Sequence, residues 1–130
     1  MLERDYIMRL IREFMAALQR ILEKKEIKTR REKLKEMYEK YVGPYSFYYE
    51  ADMDAVMKAL AEYDEGERIY RMEMLAELYY AEADTVGNPD RDFLLEKAYL
   101  LYDYIDKNGR TYSLDRKNKM TMIKSKLKTK

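Results

Sequence analysis

Apolar residues recur at the spacing of an α-helix in six separate segments of this chain, and in no segment do they alternate as in a β-strand. In the widest segment, residues 3–26, apolar side chains cover about half of the helix circumference. They are Tyr6, Ile7, Leu10, Ile11, Phe14, Met15, Ala17, Leu18, Ile21 and Leu22. The pattern predicts an all-α fold of about six helices in antiparallel hairpins, with roughly three quarters of the residues helical.

Residues typical of helix ends separate the six segments. The predicted N-caps are Thr29 with Glu32 as a capping box, Asp52, Asn88 followed by Pro89 at the first helical position, and Ser113. The predicted helix stops are Gly43-Pro44, Gly87 and Asn108-Gly109, with Gly43 and Gly87 in the left-handed C′ conformation. The segment YSFYYEA, residues 45–51, is predicted to be a connector without regular structure.

The helical faces expected to point into the core are rich in large side chains. Representative members are Leu34, Tyr38, Tyr41, Tyr79, Phe93, Leu101, Tyr102 and Leu114. In the first segment, Phe14 and Leu18 are predicted to lie in the core. A protein interface and a membrane surface are the two alternatives for that segment, but its polar side mixes both charge signs and the chain has no Trp.

Composition excludes several classes of function. The 130 residues suit one helical domain, residues 1–130, and they include no Cys and no His. Disulfides, Cys/His zinc sites, thiol chemistry and imidazole catalysis are therefore excluded. No glycine-rich phosphate loop occurs, so we expect a non-enzymatic protein with no cofactor and no metal. No segment is apolar enough to span a membrane or to act as a signal peptide, which predicts a cytoplasmic protein.

Two end segments carry a resemblance to a known family. ERDYIMRLIREFMAALQRIL at the start and TYSLDRKNKMTMIKSKL at the end resemble a family of small uncharacterised bacterial proteins, a domain of unknown function. The resemblance implies a helical, tetratricopeptide-like fold and implies no activity and no catalytic residues. It extends over most of the chain in the order of the helices.

The tetratricopeptide comparison also rests on individual residues. Leu75, Ala76 and Tyr79 resemble the large, small and aromatic positions of a repeat's first helix, and Ala98 and Tyr102 resemble positions of its second. The segment between them is longer than a regular repeat allows, and no second copy follows at that period. The pattern predicts a tetratricopeptide-like hairpin, whose stacking often leaves a groove for a peptide.

Tyrosine and methionine are unusually frequent, with 14 and 10 copies. Both residue types are common on surfaces that bind proteins. Two interpretations have similar weight for the aromatic residues of the connector, Tyr45, Phe47, Tyr48 and Tyr49. They form an exposed patch that contacts a partner, or they pack within the protein. For tyrosines inside helices, packing between helices is the favoured interpretation.

Charge is distributed in blocks although the net charge is only +1. Residues 1–49 carry +4, residues 50–106 carry −11, and residues 107–130 carry +8. The last block predicts a basic C-terminal helix, residues 116–130, whose end is expected to fray. Its candidate basic patch consists of Arg116, Lys117, Lys119 and Lys124, continued by Lys126, Lys128 and Lys130. Such a patch can bind nucleic acid, or it can pair with the acidic middle of the same chain.

The sequence therefore predicts a non-enzymatic module that binds a protein or peptide of unidentified nature. The alternative is an accessory protein that binds nucleic acid through the basic C-terminal helix. A groove lined by Tyr and Met would favour the first function, and a continuous positive face would favour the second.

Overall fold

The computed structural model describes residues 2–109 and 111–128, with side chains from Arg4 onward. It is 81% helical, and no strand occurs in these residues. The helices are α1 (Leu2–Leu22), α2 (Ile27–Tyr41), α3 (Tyr45–Glu50), α4 (Met53–Leu60), α5 (Glu65–Ala83), α6 (Asp90–Asn108) and α7 (Leu114–Lys128). The all-α prediction is confirmed.

The described part of the chain has seven helices, because most of the predicted connector forms α3. Tyr48 and Tyr49 lie three and four residues after Tyr45, about one helical turn, so a helical backbone places the three rings on one side. Tyr48 is buried, with Tyr45 and Tyr49 packed against the core. The prediction of an irregular connector was wrong, since a buried segment satisfies its backbone groups best by forming a helix.

Two predicted helix ends are corrected around residue 26. The first helix ends at Leu22, and α2 begins at Ile27 with Glu26 at its N-cap position. Thr29 therefore lies inside the first turn of α2, and its hydroxyl donates a hydrogen bond of 2.8 Å to the Glu26 carboxylate. The capping box of Thr29 and Glu32 is not formed.

Other predicted caps are confirmed or shifted by one residue. The Asp52 carboxylate accepts from the Ala55 N–H at 2.9 Å, and the Ser113 hydroxyl oxygen accepts from the Arg116 N–H at 3.1 Å. The Asn88 side-chain oxygen accepts from the Asp92 N–H at 3.1 Å, although the N-cap position belongs to Pro89.

Gly43 is required for space and not for a left-handed backbone. No glycine of the described chain has a positive φ, so the predicted C′ conformations of Gly43 and Gly87 were wrong. A Cβ atom added at Gly43 would lie 2.9 Å from Cε2 of Tyr48. The amide groups of Val42 and Gly43 both donate to the Tyr38 carbonyl, which closes the end of α2.

Contacts between side chains define three antiparallel hairpins, α1/α2, α5/α6 and α6/α7. Glu77 and Tyr79 of α5 meet Tyr102 and Lys97 of α6, so the residue numbers rise on one helix as they fall on the other. The helix at the centre is α5, which contacts α1, α2, α4 and α6. Tyr38, Tyr41, Tyr79 and Tyr102 are almost completely buried between these helices, as the packing interpretation predicted.

Candidate functional site

The four aromatic residues of α3 do not form a common exposed patch. Tyr48 is 3% exposed, and only Phe47, at 40%, presents a large part of its ring to solvent. The Tyr45 hydroxyl donates to Glu82 at 2.5 Å, and the Tyr49 hydroxyl donates to Asp90. Three of the four predicted contact residues therefore serve packing within the chain, because their spacing turns them toward α2 and α5.

Glu82 is the acceptor that organises this region. Its fully buried carboxylate accepts from the Tyr38 hydroxyl at 2.8 Å as well as from Tyr45, and Arg31 lies 3.5 Å away. Desolvation, followed by the nearby Glu82 charge, raises the pKa of Tyr38 and of Tyr45. Both phenols are therefore held in the neutral, donating form, which makes this a structural network.

Lys97 is one of several buried polar residues that the sequence pattern did not predict. Its side-chain ammonium donates to the carbonyls of Tyr48, Tyr49 and Ala51 at 2.8, 3.0 and 2.9 Å, and so ties the end of α3 to α6. Burial lowers the pKa of Lys97 to about 8. Its position in α6 was a usable signal, since Lys97 lies three residues after Leu94 and four before Leu101 on the buried face.

The basic patch of the last helix is largely paired with acidic residues of the same chain. Arg116 is buried, and its guanidinium donates to Asp106 at 3.1 Å and to the Thr111 carbonyl at 2.8 Å. Lys117 also binds Asp106, and these two cations lower the pKa of the Asp106 carboxyl, Lys117 contributing most.

Three further basic residues of α7, Lys119, Lys124 and Lys126, lie against α5 and α6. Lys119 is 2.6 Å from Glu77 and 3.0 Å from Asp115. Lys124 lies over the Tyr99 ring, and Lys126 is 3.8 Å from Asp84. Lys130 lies outside the described residues. The helix therefore docks its positive charge on the acidic middle of its own chain, and only part of that charge faces solvent.

The apolar surface of α1 is wider than the rest of the fold covers. Phe14 and Leu18 are buried, so the core prediction for them is confirmed. Met8, Met15 and Leu22 are 37%, 43% and 42% exposed. These three residues, seven positions apart on one flank of the helix, are called the α1 stripe below. The prediction that Met15 and Leu22 face the core was wrong, because α2 and α5 pack on other parts of the circumference.

A second apolar stripe lies on α6. Phe93, Leu100 and Tyr104, called the α6 stripe below, are 36%, 48% and 39% exposed. The buried residues of α6, such as Leu94, Ala98 and Leu101, occupy the neighbouring side of the helix. Phe93 was predicted to be internal, but it lies at the edge of the buried face, where its ring covers the buried Lys97 ammonium at 4.2 Å and stays partly open to solvent. Leu114, also predicted to be internal, is exposed at the start of α7.

A shallow cleft of about 320 Å³ runs between α1 and α2. Ala17, Ile21, Met37 and Tyr41 contribute apolar atoms, and the charged residues at its edges are Arg20, Lys24, Lys33, Glu36 and Lys40. Lys40 is already bound to Glu13 at 3.1 Å. The apolar residues of the cleft other than Ala17 are buried, so it offers a ligand little uncovered apolar area.

Across residues 2–109 and 111–128, no group of three or more acidic, His or Cys side chains is arranged to hold a metal ion. No helix in these ranges combines the length and apolar character needed to cross a bilayer.

Comparison of the chain with protein-family models, with curated proteins and with solved structures finds no match.

Proposed function

We propose that this protein is a non-enzymatic interaction module that binds a helix of a protein partner along α1. The observation that carries the proposal is the exposure of Met8, Met15 and Leu22 on a helix whose neighbouring side builds the core. Apolar side chains aligned over four turns cost free energy when they face water, and an apolar stripe of this kind is typical of a binding surface.

The spacing of the α1 stripe favours a helical partner. Residues 8, 15 and 22 occupy equivalent positions of a seven-residue repeat, with the half-buried Ile11 between the first two. This is the spacing at which two helices pack side by side over several turns. A partner that bound as an extended strand would need an exposed sheet edge.

The helix order is consistent with a tetratricopeptide-like stack, which we include in the proposal. Two helical hairpins, α1/α2 and α5/α6, meet through α5, which packs on both helices of the first hairpin. Tyr79 and Tyr102, two of the residues that resemble repeat positions, are buried between α5 and α6. Membership of the uncharacterised bacterial family stays a prediction.

Nucleic-acid binding is the competing function, and the contacts of the basic helix argue against it. Arg116, Lys117 and Lys119 would have to leave Asp106 and Glu77 before they could neutralise phosphates. Each such exchange replaces an existing ion pair, so little free energy remains to drive binding.

Site-specific photo-crosslinking tests the proposal in the cells from which the protein comes. We expect a photoreactive residue at Met15 to give discrete adducts with a protein. The same residue at Ala16, which is exposed on the polar side of α1, should give none. Adducts of equal yield from both positions, or adducts with nucleic acid only, would contradict the proposed function.

A further inference from the structure

The α1 and α6 stripes share a geometry. Each runs along one exposed side of a long helix, and successive members are separated by seven or four residues. Helices of 21 and 19 residues are about 30 Å long, so the two surfaces have similar lengths. Such surfaces can pack against each other as a two-helix seam.

The charged residues beside the two stripes have opposite net signs. The exposed polar side chains three or four positions from the α1 stripe are Arg4, Asp5, Arg12, Gln19, Lys25 and Glu26, with a net charge of +1. Those beside the α6 stripe are Asp90, Glu96, Asp103 and Lys107, with a net charge of −2. The longer blocks, residues 1–49 and 50–106, contain all of these residues except Lys107 and carry +4 and −11.

From this pairing we infer that the helix that α1 binds is α6 of a second copy of the same chain. The inference rests on the proposed function, since it names the partner of the same stripe. Two α1 helices would bring two positive surfaces together, and two α6 helices would bring two negative ones. Of the three pairings, only α1 with α6 brings two apolar stripes together while the charged residues beside them have opposite net signs.

A contact of this type is head-to-tail. Each copy uses α1 toward one neighbour and α6 toward another, so association continues beyond two copies unless a ring closes, the smallest ring being a two-fold dimer that forms both contacts at once. One pair of helices buries an area at the small end of protein interfaces, so the association is weak, on the order of micromolar.

Analytical ultracentrifugation tests the inference with the whole chain. The weight-average sedimentation coefficient of the wild-type protein should rise with concentration through the micromolar range. Met15→Glu and Leu100→Glu each place a carboxylate in the centre of one stripe, and each should weaken association about tenfold or more. Met122→Glu, a matched change at an exposed apolar residue of α7, should have no effect.

Mixing the two variants distinguishes a head-to-tail contact from a symmetric one. An equimolar mixture should associate again with wild-type affinity, because intact α6 of Met15→Glu can bind intact α1 of Leu100→Glu. The mixture should stop at a 1:1 complex, since the remaining stripes both carry glutamate. Circular dichroism establishes that each variant is folded.

Several results would overturn the inference. They are a wild-type protein that stays monomeric, loss of association in only one of the two variants or in neither, and a mixture that does not associate. A monomeric protein whose Met15 still crosslinks to a different protein would leave the proposed function standing. A protein that gives no adduct at Met15 and stays monomeric would reject both.

Discussion

At the scale of single residues, the buried polar side chains of this protein hold helices to one another. Lys97 donates to three carbonyls at the end of α3, and Glu82 accepts from tyrosines of α2 and α3. A buried charge without such partners would cost several kcal/mol. These residues therefore join helices that are distant along the chain.

Replacing Lys97 tests this role. Lys97→Met keeps most of the buried volume but leaves three carbonyl groups without their donor, so we expect a loss of about 2–5 kcal/mol in the free energy of unfolding. Lys58→Met, at an exposed lysine of α4, should change it by less than about 0.5 kcal/mol. Urea denaturation measures both. Equal effects would contradict the assignment of Lys97 as the anchor of α3.

The buried tyrosines predict how the protein responds to alkali. Burial and the nearby Glu77 or Glu82 carboxylate raise the pKa of Tyr102 and Tyr38, and burial raises the pKa of Tyr79. The folded state binds these protons more tightly than the unfolded state, where tyrosine titrates near pH 10. Stability should therefore be complete below about pH 10 and decline above it.

Tyrosinate absorbance measured together with circular dichroism checks this expectation. The buried tyrosines should ionise only as the helices unfold. A single ionisation step for all 14 tyrosines, with no loss of helix, would contradict it.

At the scale of elements, α1 has a core side and an uncovered side. The neighbouring residues Phe14 and Met15 lie on different sides, so replacing each of them compares the two. Phe14→Ala should cost about 3–5 kcal/mol because Phe14 is fully buried against Tyr41. Met15→Ala should cost less than about 1 kcal/mol in a dilute, monomeric sample, since no cavity forms. Chemical denaturation compares the two. A large loss for Met15→Ala would mean that the stripe is covered within the chain.

The docking of α7 on α5 and α6 has an apolar part and a charged part. Deleting residues 116–130 removes the buried Met120 and Ile123 as well as the ion pairs of Arg116 and Lys119. We expect a lower melting temperature, with a larger loss at low salt than at high salt because salt screens the charged part. Thermal unfolding over a salt series measures this difference.

The melting temperature of the deletion variant also distinguishes the two roles considered for the basic helix, which are binding nucleic acid and stabilising the fold. An unchanged melting temperature, together with the loss of salt-sensitive binding to DNA or RNA, would mean that α7 serves nucleic acid. A salt-dependent loss of stability would mean that it serves the fold.

At the scale of the whole molecule, the helices are stacked around α5. This helix packs on α1, α2, α4 and α6 and binds α3 and α7 through Glu82 and Glu77, and eleven of its 19 residues are buried. We expect its amide protons to exchange most slowly, at the free energy of global unfolding, and those of the first turns of α1 and of the solvent side of α7 to exchange faster. Hydrogen–deuterium exchange with mass spectrometry measures the order. Protection of α1 equal to that of α5 in a monomeric sample would contradict it.

The sequence by itself determined the features that depend on neighbouring residues. Helical periodicity, the caps at Asp52 and Ser113 and the burial of Phe14 and Leu18 follow from local spacing, because side chains three and four positions apart share one face of a helix. The all-α class was predictable for the same reason.

Only the tertiary structure decided which part of each apolar face is covered and which charges are paired. The width of the apolar face of α1 is a property of its sequence. The packing of α2 and α5 covers only part of that face, and Met15 and Leu22 remain exposed. Arg116 of α7 pairs with Asp106 of α6, and Lys97 of α6 binds carbonyl groups at the end of α3. Both contacts join residues of different helices. Such pairings depend on how helices dock, a free-energy balance that local patterns do not contain.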